Sequence, residues 1–502
     1  MKKIVLRSAA ALLLIVASIY ATTWYTGMNK PISIELKNSK TNIDYTQHPP
    51  TPKMNRVVAQ DNVKTDTQPE NSKKETTATT STVKATSQAI IKPSTQKVSA
   101  PKPANTQIEI VPSGNVVQAP AISISAPITL PTMPTIRVQL HSRASLTSNQ
   151  QRVYDLVDAV IKNETIGVIL IPDCNFASLQ IAFSAVKNDH PEYFWSSDSF
   201  IYSLNPNNSI YFGIQYTDPS GKVYGGYLFD TVQVSTINEK IGQVLQTAFA
   251  QVNSDMPPYQ KELVLHDWLL KQVTYNYAAV TDPNNNQDAF TIYGVFINHT
   301  AVCEGYSKAF QLLMYALNIP CTVVTGFSTS QGPHMWNDVQ LNGLWYGLDT
   351  TWDDTNSGEV LHSYFNISDA QMSLDHIFAK EANDPSTLNA LPNTNDVYYN
   401  TGRPVCSSMN ENYAVLNGTF INSSSDWENI IPSKIATAAN AGQHTVEFLI
   451  GTQYNYLFNS SQTVNDVSPQ IMTANKTISI QNRIKSFGVF GPSGGKGFII
   501  NW

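Results

Sequence analysis

Three residues able to do nucleophilic chemistry stand in the order Cys303, His334, Asp349, spaced by 31 and 15 positions. Cys303 lies in "NHTAVCEGYSKAFQLLMYALNIPC", where Tyr306, Ala309, Phe310, Leu313, Ala316 and Leu317 recur at helical spacing. That pattern predicts a helix burying one face, with Cys303 in its first turn. Free N–H groups and the dipole at a helix start favour an anion, so a thiol there is readily used as a thiolate. Acyl transfer needs such a thiolate, and it also needs a base held in a fixed orientation.

The segment "GPHMWNDVQLNGLWYGLDTTWDD" supplies both partners. Asn342-Gly343 between two alternating runs predicts a two-residue hairpin turn, because both central positions call for positive φ. Leu341 then pairs with Leu344, Trp336 falls opposite Asp349, and His334 falls opposite Thr351. On that register His334 and Asp349 project from one face as diagonal neighbours, about 7–8 Å apart at the backbone. A slip of one residue would send them to opposite faces.

Each residue taken singly has a plainer account. A lone buried cysteine is ordinarily inert packing, a strand histidine a surface group, and an aspartate at a strand end a turn carboxylate. The joint spacing is what carries the chemical reading. Cys321, after Ile319-Pro320, reads as a buried structural thiol, and a bridge to Cys303 would disable the nucleophile. Trp336, Trp345 and Trp352 read as strand packing and cleft walls. Asp353-Asp354 reads as a strand end, and a metal site there would need further ligands.

The order and spacing of Cys303, His334 and Asp349 within these motifs resemble the transglutaminase-like superfamily, in its exported bacterial branch. The resemblance covers about 236–385, including "LVLHDWLLKQVTYN" upstream and "YFNISDAQMSLDHIF" downstream. It implies a papain-like α+β core in which helices pack on an antiparallel sheet. It also implies Cys303 as nucleophile, His334 as general base and acid, and Asp349 as the group orienting the imidazole. His266 and His376 match family positions and are expected to pack or cap. Trp268 lies at a distance from Cys303 comparable to a family oxyanion tryptophan, but on a predicted helix, and receives no such role. The backbone N–H of Cys303 is an expected oxyanion donor, with Gln287 and Tyr293 as weak side-chain candidates.

These residues need a scaffold, and a chain of 502 residues, 42% hydrophobic, is long enough for several cores. At the N-terminus Lys2, Lys3 and Arg7 precede an apolar run, so residues 1–27 read as a signal sequence or an uncleaved membrane anchor. The anchor reading is slightly favoured, giving an extracytoplasmic protein that is membrane-anchored or secreted. Residues 28–138, rich in Thr, Ser, Pro and Lys, read as a disordered spacer. They hold 13 Lys/Arg against 7 Asp/Glu, about +6, while residues 139–502 carry about −15. A basic stalk thus bears an acidic head with no basic stripe for nucleic acid.

Residues 139–235 read as an N-terminal α+β domain, with a first helix around "SNQQRVYDLVDAVIK" and hairpin strands in "SFIYSLNPNNSIYFGIQYTD" and "GKVYGGYLFD". Residues 236–385 form the expected transglutaminase-like catalytic domain, opening on a helical hairpin broken at Met256-Pro257-Pro258. Residues 390–502 read as a C-terminal mixed α/β domain. Four cysteines in so long a chain make no disulfide framework, and no CxxC or HExxH occurs, so neither metal nor cofactor is expected. The expected function is a cysteine acyl-transfer enzyme acting on protein or peptide, cell-wall peptide included, by hydrolysis or by transfer to an amine. The alternative is a catalytically silent scaffold that binds at the cell surface.

Overall fold

The computed structural model describes residues 136–502 apart from 197, 206, 218–220, 330–331, 355–359, 383–399 and 492–494. The expected leader or anchor, and all of the spacer except its last three residues, lie outside the described residues. No helix among the described residues is long and apolar enough to cross a membrane.

Helix α1 (Ser148–Lys162) starts at a reciprocal cap: the Thr147 side chain accepts from the Gln150 backbone, and the Gln150 side chain accepts from Thr147 N–H. It buries Val153, Tyr154, Val157, Val160 and Ile161. Strand β1 (Ile169–Ile171), helix α2 (Phe176–Asp189) and the hairpin β2 (Ile201–Asn205) and β3 (Ser209–Gly213) follow, the strands pairing in the order β1-β3-β2. A small hairpin, β4 (Gln215–Thr217) and β5 (Val223–Gly225), leads to α3 (Thr231–Phe249) and α4 (Pro258–Leu270). The apolar core is continuous from Ile136 through the 303–316 helix to Phe365 and Ala382, so α1 and α2 share one interior with the residues around the cysteine.

A two-residue parallel ladder, β6 (Thr274–Tyr275) with β7 (Thr300–Ala301), aligns Tyr275 with Ala301. Between them lies the short helix α5 (Ile292–Phe296), and directly after β7 comes α6 (Cys303–Ala316). From Gly305 to Ala316 every residue of α6 is buried, which exceeds the one-sided burial its periodicity suggests. One face meets strand β9 and the other meets α4 and α5.

The sheet beneath α6 runs in the order β10-β9-β8-β11, with β8 (Cys321–Ser328), β9 (Gly332–Leu341), β10 (Leu344–Leu348) and β11 (His376–Phe378) all antiparallel. The expected hairpin is present. Leu341 pairs with Leu344, and Asn342 and Gly343 have φ of 51° and 82°. The register holds to Leu348 opposite Asn337 and stops there. Asp349 does not continue the strand opposite Trp336; it caps the short helix α7 (Thr350–Asp353), so Thr351 is not the strand partner of His334. An aspartate followed by two threonines offers the backbone an N-cap in place of further ladder bonds, and the cap prevails.

Beyond it, β12 (Phe420–Ile421), α8 (Ser424–Asn440), β13 (Thr445–Ile450), α9 (Ser460–Ala474), β14 (Gly488–Phe490) and β15 (Gly497–Asn501) complete the same compact unit with a further sheet. This sheet runs β12-β13-β15-β14, and its core is separate, built on Trp427, Ile431, Phe448, Val467 and Phe498.

A Cβ at Gly343 would meet nothing within 4 Å, so substitution there tests backbone strain alone. Gly343→Val is expected to cost about 1–2 kcal/mol, because a branched side chain resists positive φ. A lowered denaturant midpoint with unchanged slope in a urea titration is the measurement that checks it.

Candidate active site

Strand β9 carries His334, and the residues just past β10 carry Asp349 to the same place. His334 Nε2 lies 2.7 Å from Asp349 Oδ2, with His334 6% exposed and Asp349 wholly buried. The other imidazole nitrogen, Nδ1, is not used by Asp349, and Cys303 lies near enough for its charge to favour the His334 imidazolium. Cys303 is half-buried at the first turn of α6, whereas Cys174, Cys321 and Cys406 are buried; all four are free. The structure thus brings His334 into contact with Asp349 and sets Cys303 near His334.

Asp349 is held from both ends. Its Oδ1 accepts from Thr351 N–H at 2.9 Å and from Trp352 N–H at 3.2 Å, the first donors of α7. Its Oδ2 receives a second imidazole, His376 Nε2 at 3.0 Å. His376 Nδ1 in turn reaches Asp375 at 2.7 Å. The expectation that His376 packs or caps thus resolves into a specific contact, the second imidazole on the orienting carboxylate. Its strand, β11, is only three residues long, and its place beside β8 could not be read from periodicity.

Burial alone would strip the charge from these groups. It works against the His334 imidazolium, but Asp349 and Cys303 outweigh it and push His334 up to about 10. Burial would likewise raise Asp349, and the two imidazoles reverse this and hold it below the usual carboxylate range. The imidazolium–carboxylate state is the one favoured here.

Two indoles enclose the pair. Trp336 stacks on His334 with centroids 5.9 Å apart and meets His376 edge-on at 4.9 Å, and Trp352 lies 4.5 Å from His376. Gly326, opposite His334 in the β8–β9 ladder, makes room for Trp336. A Cβ there would stand 2.2 Å from the Ile377 carbonyl oxygen and 2.6 Å from the Trp336 ring. Trp345 lies apart from this pair, with its ring 5.4 Å from that of His141. The nucleophile helix is pinned to β9 by Ser307 Oγ, within hydrogen-bond distance of both the Cys303 and Met335 carbonyls at 2.9 and 3.0 Å. Buried Asn337 adds a bond from its Nδ2 to the Ser307 carbonyl at 3.1 Å.

Tyr275 is a further residue of the site. Its hydroxyl accepts from the Cys303 backbone N–H, and burial together with the nearby Cys303 charge raises its pKa well above that of a free phenol. It therefore stays protonated beside the nucleophile. Gln287 and Tyr293 do not share this position. They line an open cleft of about 490 Å³ with Phe229, Asn284 and Asn298, and the Tyr293 ring packs on Phe229 at 4.7 Å. The signal for Tyr275 is the two-residue ladder with Ala301, too short to be seen as a strand in sequence.

Residues 246–350, which contain Cys303, His334 and Asp349, match the family model of the transglutaminase-like superfamily. This part of the chain is a transglutaminase-like domain. The chain is 25% identical over 129 residues to kyphoscoliosis peptidase of Mus musculus, covering 24% of this chain and 18% of that protein. The Homo sapiens protein of the same name is 23% identical over 137 residues, covering 25% and 19%. The match thus spans about a fifth of the length of these curated relatives. A solved structure described as a TGase is 14% identical and covers 31% of this chain and 44% of that one, with a TM-score of 0.22.

Two measurements probe the charged pair. A raised His334 contributes stability that is complete below the ordinary histidine value of about 6.5 and is lost as pH rises through about 10. A lowered Asp349 contributes stability that is complete above the ordinary aspartate value of about 3.9 and is lost as pH falls through its lower folded value. The stability difference between the native protein and Asp349→Asn is expected to be largest between about pH 4 and 6.5; a difference that is flat with pH would contradict the charge assignment. Gly326→Ala is expected to lower the melting temperature by several degrees through the clash with backbone and indole, read by thermal denaturation.

Proposed function

We propose that the protein is an exported or surface-anchored cysteine acyl-transfer enzyme acting on amide bonds of peptides or proteins, with hydrolysis as its main outcome. The observation that carries this reading is the contact chain from Cys303 through His334 to Asp349, with its 2.7 Å imidazole–carboxylate bond. The basic residues Lys2, Lys3 and Arg7 ahead of an apolar run support the exported placement.

In the proposed reaction Cys303 Sγ attacks the carbonyl carbon of the scissile amide. The developing oxyanion is met by the Cys303 N–H, which exchanges its bond to the Tyr275 oxygen for one to the oxyanion, and by the Tyr275 hydroxyl. The C–N bond breaks, the leaving amine takes its proton from the His334 imidazolium, and a thioester remains on Cys303. Water then attacks the thioester as His334 takes up its proton, and the acid departs with the thiolate restored. An amine in place of water completes a cross-link by the same steps. Hydrolysis is preferred because it requires no second organic substrate to be seated. Throughout, Asp349 keeps the ring oriented with Nε2 occupied and Nδ1 directed at sulfur.

Incubating the full-length protein with a peptide library and a labelled amine, read by mass spectrometry, tests this directly. Cleaved peptides are the expected outcome, label incorporated at glutamine would assign transfer instead, and no product from folded protein would leave only the binding-scaffold reading. Cys303→Ala and His334→Gln should each reduce turnover by about 10³-fold or more, and unchanged turnover in either would overturn the assignment. Tyr275→Phe should lower kcat by about 10²-fold with little change in KM, whereas a purely structural tyrosine would leave the kcat of the folded variant near normal. The alkaline limb of the rate profile is expected near pH 10 and should move towards about 6.5 in Asp349→Asn.

A further inference from the structure

A second cluster of imidazoles and carboxylates lies outside the residues that meet Cys303. Helix α4 contributes His266, fully buried, and Asp267, whose side chain is 31% exposed. The segment after α7 contributes His362. His266 Nδ1 and His362 Nε2 both point at one atom, Asp267 Oδ1, at 3.1 and 3.0 Å. The three potential donor atoms all lie within 4.8 Å of one another.

The far side of each ring is also specified. His362 Nδ1 is 2.9 Å from Glu447 Oε2, and the other oxygen of Glu447 is fixed by the His362 backbone N–H at 2.7 Å. His266 Nε2 faces Asp353 Oδ2 at 3.4 Å, and the other oxygen of Asp353 accepts from Tyr364 N–H at 2.9 Å. Each imidazole thus has a backbone-anchored carboxylate behind it and the shared Asp267 oxygen in front. The rings are packed as well: His362 stacks on Tyr413 with centroids 4.0 Å apart, and His266 meets Phe365 edge-on at 5.0 Å.

We propose that His266, Asp267 and His362 bind a divalent transition-metal cation of the zinc class. Nitrogen and carboxylate donors about 2.0–2.1 Å from a tetrahedral ion stand roughly 3.3 Å apart, close to the two nitrogen–oxygen spacings of 3.1 and 3.0 Å, and the two nitrogens lie within 4.8 Å of each other. In that state both facing nitrogens offer lone pairs, the far N–H of His362 donates to Glu447, and that of His266 faces Asp353 across 3.4 Å. This is the carboxylate–histidine–metal arrangement that fixes tautomer and ring orientation. The His334, Asp349 and His376 cluster shares the motif of two imidazoles on one oxygen, but there a ring nitrogen faces Cys303 in place of a carboxylate. The ion would join α4 to His362 and, through Glu447, to strand β13 of the second core.

The full-length protein, stripped with a chelator, reloaded with Zn²⁺ or Co²⁺ and desalted, is the material for the test. About one ion per chain by mass spectrometry of metals is expected, with visible d–d absorption for Co²⁺ typical of a four-coordinate nitrogen–oxygen site. Asp267→Asn and His362→Gln should each abolish retention, and Glu447→Gln should weaken affinity by about 10- to 100-fold. Cys303→Ala and His334→Gln should retain the full equivalent. Asp267 is partly exposed, so its variant carries the test if His362→Gln fails to fold. No ion on the native protein, equal retention in folded Asp267→Asn, or loss of the ion in His334→Gln would each overturn the proposal.

Discussion

Asp349 is a wholly buried carboxylate taking four polar contacts, two from imidazoles on one oxygen and two from backbone N–H groups on the other. Removing a carboxylate from water is costly, and the cost is met only when charge and hydrogen bonds replace hydration nearly completely. The surrounding architecture supplies those replacements. Strand β9 brings His334, β11 brings His376, and the start of α7 brings the two N–H groups. Remove any one and a buried charge is left short of a partner, a loss of the order of 3–5 kcal/mol when a buried pair is broken. The aspartate therefore ties the start of α7 to histidines 15 and 27 positions away on β9 and β11.

The indoles of Trp336 and Trp352 give this arrangement its electrostatic strength. By excluding water from the rings they lower the local dielectric, which makes an unpaired charge worse and a paired charge better. His334 shows the balance, since burial lowers its affinity for a proton and Asp349 and Cys303 raise it by more. Gly326 belongs to the same device: without a side chain, β8 can lie close enough to β11 for the Trp336 ring to fill the space between.

What the sequence made legible is what local chemistry dictates. The Asn342-Gly343 turn sets register by backbone conformation alone, and the register runs as expected to Leu348 and Asn337. The helix behind Cys303 is legible from its apolar spacing, and the contact of His334 with Asp349 follows from the hairpin. The reading failed one residue later, because strand and N-cap compete for Asp349 and alternation carries no information on that competition. Tyr275 and His376 escaped for a different reason. Each is placed by a ladder of two or three residues whose partner is 26 to 48 positions away, and such pairings are selected by tertiary packing rather than by local propensity. Gln287 and Tyr293, the weak side-chain candidates for the oxyanion, line a different cleft, a placement that local sequence does not carry.

Helix α7 gives the two imidazole–carboxylate clusters a common support. Asp349 caps its start, and Asp353, four residues on and bonded by its N–H to the Asp349 carbonyl at 3.1 Å, faces His266. One helical turn separates them, so the carboxylate holding the orientation of His334 and the carboxylate behind His266 cannot shift independently. Their surroundings nonetheless assign them different chemistry. Around Asp349 the far nitrogen of one ring is turned to a half-buried thiol, the arrangement a mobile proton needs. Around Asp267 both inward nitrogens meet one carboxylate oxygen, His362 is tied behind to Glu447, and His266 faces Asp353 at 3.4 Å. One turn of helix thus carries the carboxylate facing His334 and His376 at one end and the carboxylate facing His266 at the other, and His362 and Glu447 extend the second cluster to strand β13.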